Sequence, residues 1–119
     1  NAKKSVIIMT TSQGVVRKLT ELRSSLQKAK QAGVDIKIAA PITKDIVNEA
    51  KELSKIAPVR NSNVKARFCI VDGKELTFML LDDEDVHPSY DAAIWVNTNF
   101  FASALERMFE SEWKRMKAV

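Results

Sequence analysis

The sequence has few of the residues that staple or interrupt a chain. Of 119 residues, one is cysteine, one histidine and one tyrosine, three are glycine and three proline. A single cysteine excludes an intramolecular disulfide framework and suits a reducing compartment. No apolar run approaches the roughly 20 residues that span a bilayer. No basic start, apolar middle and small-residue cleavage site mark a signal peptide. Internal repeats and low-complexity segments are also missing. These absences point to a cytoplasmic protein with no membrane partner.

What is present is ordinary for a globular domain: 45% apolar and 29% charged residues. A chain of this length makes one domain and buries a core without staples. The net charge of +4 is scattered along the chain and offset by the acidic run Asp82-Asp83-Glu84-Asp85. A nucleic-acid footprint would instead cluster Lys and Arg on one face. Direct binding of nucleic acid is therefore an alternative reading, not the leading one. The first residue is Asn, and a strand-like run begins within a few residues of it. The expectation is a fragment cut at a domain boundary, with an N-terminal partner domain missing.

The scarce glycines and prolines punctuate the pattern. Ser5–Met9 is an apolar, β-branched run and reads as a buried strand. Thr10, Thr11 or Ser12 can cap the helix that follows. Val15, Leu19, Leu22, Leu26 and Ala29 recur at steps of four and three, which places them on one helix face. Gly33 ends that helix in a left-handed residue. Val34, Ile36 and Ile38 alternate with Asp35 and Lys37, a second strand parallel to the first because a full helix joins them. Pro41 ends it. Thr43 is the candidate cap of a helix striped by Ile46, Ala50, Leu53 and Ala57, which Pro58 stops. Val59–Asn61 reads as a short strand.

The centre of the chain is Lys65-Ala66-Arg67-Phe68-Cys69-Ile70-Val71-Asp72-Gly73-Lys74. Phe68, Cys69, Ile70 and Val71 form a strand expected to be covered on both faces. Asp72-Gly73 is a hairpin dipeptide, and residues 75–81 return as the next strand. Residues 82–91, acidic and holding Pro88, read as a loop. A last strand spans 92–96. Asn97 or Thr98 caps a final helix with Leu105, Phe109, Trp113 and Met116 on its apolar face, and Lys114, Arg115 and Lys117 suiting its C-terminal dipole. Without the short Val59–Asn61 stretch, the order β-α-β-α-β-β-β-α predicts an α/β domain, a three-layer α/β/α sandwich with a mixed sheet.

The central segment resembles the H-x-K-x(4)-D strand of the phospholipase D superfamily, with Lys65 at the histidine position, Arg67 at the lysine position and Asp72 kept. Such lapsed domains resemble the C-terminal regulatory domains of archaeal TrmB-like transcriptional regulators, as do residues 2–8 and 32–38. The resemblance implies a phospholipase D-like half-domain without its nucleophile. It also implies a homodimer, because two halves of that family share one cleft. DNA would be held by a separate winged-helix domain, and a small-molecule or anionic effector sensed here. Sugar contacts in that group involve a further subdomain that this chain lacks.

Several residues are candidate site groups, each with a plainer reading. Lys65 and Arg67 can bind an anion, since Arg grips carboxylate or phosphate with two parallel bonds. The plainer reading is a surface Lys and an Arg67–Asp72 or Arg67–Asp91 ion pair. A phosphodiesterase or nuclease is the alternative function, weakened because lysine, with a reference pKa of about 10.4, is a poor nucleophile near neutrality. Lone His87 lies far along the chain. Asn97 and Asn99 stand at a strand-to-helix junction like the family's G-S-x-N segment, though helix capping accounts for them. Four consecutive acids beside His87 do not reproduce the spaced ligands of a calcium loop. No metal and no cofactor are expected. Cys69 reads as a small buried hydrophobe. Phe100 and Phe101 are adjacent and cannot both face the core, so at least one is a candidate interface residue.

Overall fold

A computed structural model of the chain describes residues 3–64, 66–79 and 93–119. Its strands are β1 (Ser5–Met9), β2 (Asp35–Ala40), β3 (Val59–Asn61), β4 (Phe68–Val71), β5 (Glu75–Met79), β6 (Ala93–Asn97) and β7 (Lys117–Ala118). Its helices are α1 (Ser12–Glu21), α2 (Arg23–Gln31), α3 (Val47–Ser54) and α4 (Asn99–Trp113). The strands form one mixed sheet in the order β6-β5-β4-β1-β2-β3-β7. β1, β2 and β3 run parallel, each pair joined by helical chain. β4 reverses against β1, and β5 and β6 follow as antiparallel neighbours.

Alternation along β1 and β2 sorts the core into two layers. Ile8, Ile36, Ile38 and Ala40 pack with Val15, Leu26, Ala50 and Leu53 from α1, α2 and α3. Ile7, Met9 and Ala39 point the other way, toward Ala102, Phe109 and Trp113 of α4. Successive strand residues face opposite sides, so a strand buried on both faces must be apolar throughout, as β1 is. The result is the expected α/β/α sandwich. No described helix is long and apolar enough to cross a membrane.

The local signals hold at most boundaries. Thr11 caps α1, its hydroxyl accepting the Gly14 N–H at 3.1 Å. Gly33 takes φ 85° after α2. Its N–H donates to the Lys30 carbonyl and the Val34 N–H to that of Ala29, which together make a Schellman closure. Ile46, Ala50, Leu53 and Ala57 are all buried.

Four expectations need correction. The first helix is broken at Leu22, whose backbone leaves helical geometry (φ −114°, ψ 4°). Just before it, the Thr20 hydroxyl donates to the carbonyls of Val16 and Arg17, a back-bonding that bends helices. Leu22 leaves the apolar stripe and is 41% exposed. Thr43 precedes a 3-10 turn, Lys44–Ile46, and its hydroxyl bonds the Asp45 carboxylate instead of capping a backbone N–H. α4 stops at Trp113, so Lys117 lies not on its last turn but on β7, paired with Asn61 of β3. β4 is covered less than expected. Ile70 alone is buried there, while Phe68, Cys69 and Val71 are half-buried, Cys69 packing against the α1–α3 layer and Phe68 against the α4 layer. Lys65, the acidic run with His87, and the expected strand residues 80, 81 and 92 lie outside the described residues.

Candidate functional site

β4 is the frame on which the candidate residues hang. Asp72 and Gly73 both have positive φ, 54° and 68°, as a tight type I′ hairpin requires. Asp is among the few non-glycine residues that accept this conformation. Its carboxylate reaches the chain that enters the neighbouring strand β1. It accepts the backbone N–H groups of Lys3 (3.1 Å to each oxygen), Lys4 (2.7 Å) and Ser5 (3.0 Å). Its own N–H donates to the Ser5 carbonyl at 2.9 Å. The Ser5 bond, then the Lys4 bond, hold the carboxyl below the usual carboxylate range. Asp72 thus ties the chain entering β1 to the hairpin.

Arg67 stands at the other end of the same strand. Its carbonyl accepts the Met79 N–H at 2.9 Å. Five residues of extended chain, about 16 Å, separate it from Asp72. An Arg67–Asp72 ion pair is therefore out of reach. Asn97 pairs with Glu75, beside the hairpin turn, because β6 runs antiparallel to β5. Thr98 caps α4, accepting the Phe101 N–H at 3.3 Å, and Asn99 is the first helical residue. The structure thus gathers Asp72, Asn97 and Asn99 at the hairpin end of the sheet and leaves Arg67 at the opposite end. They do not form one site.

The Arg67 end coincides with the carboxyl ends of the parallel strands, where open α/β sheets place ligands. A groove of about 540 Å³ opens there between α1 and the face of β4 and β5 that carries Cys69 and Thr77, lined by Thr10, Arg17, Lys18, Glu21, Arg67 and Cys69 among others. Among the described residues its lining carries three cations and one carboxylate. Burial pushes the Cys69 thiol up, with the Lys18 charge pulling it the other way, so the sulfur stays protonated and is a poor nucleophile. A second groove of about 550 Å³ lies on the α4 side, lined by Asn61, Ser62, Met108 and Arg115 among others. Met9 and Phe68 line both grooves and form the wall between them. Arg17 and Lys18 lie off the apolar stripe of Val15 and Leu19, and no motif singles them out. The parallel pairing of β1 and β2, followed by an α1 that starts at the carboxyl end, was the available signal.

The aromatic pair after β6 is exposed on both members, Phe100 at 88% and Phe101 at 52%. Among the described residues no three His, Cys, Asp or Glu side chains come together as a metal set.

The role of Asp72 can be read from pH. Asp72→Asn keeps a side chain that tolerates positive φ and one acceptor oxygen, but loses the charge. The expected cost at pH 7 is about 1 kcal/mol, at the low end for charge-assisted bonds because these lie at the surface. A depressed folded pKa means stability present above the unfolded value of about 3.9 and lost as pH falls through the folded value. The difference between wild type and variant, measured by urea unfolding, should therefore shrink in acid. A difference that stays constant down to about pH 2 would count against this assignment.

No protein-family model matches the sequence, and no curated protein is similar to it in sequence. Solved structures do resemble it. Nuc from Salmonella typhimurium, a phospholipase D family member, superposes with a TM-score of 0.76 at 18% identity, over 100% of this chain and 84% of that one. TrmBL2, an archaeal chromatin protein described as showing a novel mode of DNA binding, superposes with a TM-score of 0.71 at 16% identity. That match covers 100% of this chain and 46% of TrmBL2. At these identities the likeness is one of fold, and the fold of this chain is the phospholipase D-like α/β sandwich.

Proposed function

We propose that this domain is a non-enzymatic dimerisation and effector-sensing domain of a transcriptional regulator, with DNA contacted by a separate domain. The observation that carries this reading is the state of β4. The fold is that of phosphodiester chemistry, yet the strand bears no histidine, Lys65 stands at the nucleophile's position in the motif, and Asp72 is engaged by three backbone N–H groups. Covalent phosphoryl chemistry needs a nucleophile that is deprotonated near neutral pH. A lysine whose free pKa is about 10.4 supplies none. The likeness in fold to TrmBL2 supports a place in DNA-associated regulation.

The effector that suits the site is anionic. Arg17, Lys18 and Arg67 border the groove at the carboxyl ends of β1 and β2, and a guanidinium suits carboxylate or phosphate. The test is twofold. Incubated with bis(p-nitrophenyl) phosphate, the purified chain should release no nitrophenolate above the blank. Light scattering should give the mass of a dimer. Turnover that disappears in Lys65→Ala would overturn the non-enzymatic reading. Affinity of this chain alone for duplex DNA, falling steeply with salt, would favour a direct nucleic-acid module instead.

A further inference from the structure

We propose that two copies of this chain associate through β6, pairing these strands antiparallel about a two-fold axis at Trp95 so that two sheets become one. This rests on the dimer proposed above, but joins the copies through their sheets instead of across the shared cleft that the resemblance implies.

β6 is an edge of the sheet among the described residues, and so is β7. Sheet edges present unpaired N–H and C=O groups, and proteins protect them with short strands, charges or proline. β7 is so protected, being two residues long and carrying Lys117. β6 has none of these devices. It is Ala-Ile-Trp-Val-Asn, with Ile94 40% and Trp95 59% exposed. The first turn of α4, which follows β6 directly in the chain, adds the exposed Phe100 and Phe101.

Charge identifies the occupant. Residues 93–105 contain no Asp, Glu, Lys or Arg, in a chain that is 29% charged. Two copies each carrying +4 repel wherever charged surface meets charged surface. An uncharged edge is where they can meet without that penalty, and it gives a charged partner nothing to pair with. An antiparallel pairing of one strand with itself is also self-complementary, as an isologous two-fold interface must be.

The register follows from the pleat. Leu76 and Phe78 belong to the α4 layer, so their partners Val96 and Ile94 face α4, whereas Trp95 shares the other face with Thr77 and Cys69. A two-fold axis perpendicular to the sheet keeps each face on its own side, so one residue must lie on the axis. With Trp95 there, Ile94 meets Val96 of the second copy on the α4 side, and the two indoles meet on the opposite face. The strands being antiparallel, the two Arg67 grooves then lie at opposite ends of the joined sheet and share no cleft.

The experiment is light scattering of the purified chain over a range of concentrations, for wild type and Trp95→Lys, with a cross-linking arm. Wild type should be a dimer and Trp95→Lys a monomer with unchanged circular dichroism. Trp95→Cys in a Cys69→Ser background should oxidise to a covalent dimer, because directly opposed Cα atoms about 5 Å apart suit a disulfide. Arg67→Cys in the same background should not. A dimer that survives Trp95→Lys and fails to cross-link at residue 95 overturns this surface while leaving the dimeric reading intact. A wild type that is monomeric throughout overturns both.

Discussion

Trp113→Ala is expected to destabilise the fold by about 3–5 kcal/mol, the range for losing a buried large aromatic side chain. Trp113 is the last residue of α4 and only 6% exposed. Its ring stacks on Phe109, centroids 5.5 Å apart and planes inclined by 27°. Phe109 in turn meets Phe68 of β4 edge to face at 6.5 Å. From the far side, the Arg60 guanidinium of β3 sits 4.3 Å from the Trp113 ring centroid and donates to the Trp113 carbonyl at 2.6 Å. One side chain thus links α4 to β3 directly and to β4 through Phe109. Lys37 of β2 adds an ion pair to Glu110 at 2.7 Å, which fixes the same helix from the next strand. Removing the indole leaves a cavity under the C-terminal turn. It also strips Arg60 of its cation–π partner, a contact worth about 0.5–1 kcal/mol at a partly exposed site. In a domain of this size the melting temperature should fall by roughly 10 °C or more. Urea unfolding measures the loss directly. A loss under about 1 kcal/mol would mean that α4 is not seated on the sheet as described.

The sequence disclosed the parts of this fold that local chemistry fixes. The alternation of Val34, Ile36 and Ile38 and the helix before it required a parallel pair. Gly33 required a left-handed cap, and Asp72-Gly73 required a hairpin. Leu105, Phe109 and Trp113 required a helix with one buried face. What stayed hidden depends on pairing between distant segments. β7 is two residues whose only reason to be a strand is the register Arg60 with Ala118 and Asn61 with Lys117. Leu22 has the spacing of a core residue, but the Thr20 hydroxyl bends the backbone before it. The candidate site was divided for the same reason. Motif spacing sets Arg67, Asp72, Asn97 and Asn99 in one list, whereas the antiparallel return of β6 puts Asn97 opposite Glu75 and away from Arg67. The direction of β6 is a tertiary fact with no signature in its five residues.

The survival of Asp72 also looks different once its bonds are known. In the motif it counts as the last remnant of chemistry. In the structure it is a turn residue that closes the hairpin and receives the N–H groups of the chain leading into β1. That work is needed whether or not a phosphodiester is ever cleaved.

Leu53→Ala and Leu22→Ala make the sharpest contrast between what spacing suggests and what packing decides. Both leucines occupy apolar stripes of amphipathic helices in the sequence. Leu53 of α3 is 0% exposed in the layer formed with Val15, Leu26, Ile36 and Ile38, whereas Leu22 is 41% exposed at the break between α1 and α2. Truncating a leucine costs the transfer of its lost methyl and methylene groups plus the cavity left behind, and that cavity exists only where neighbours enclose it. Leu53→Ala is therefore expected to cost about 3–5 kcal/mol, the upper part of the usual range, because the sheet and the neighbouring helices of its own layer leave little room to collapse. Leu22→Ala should cost less than about 1 kcal/mol, since solvent already reaches the site and no enclosed cavity is left behind. The pair is measured by urea unfolding at one pH, with equal slopes required so that both midpoints report the same native state. Equal losses would mean that the helix runs unbroken through Leu22 and carries it into the core.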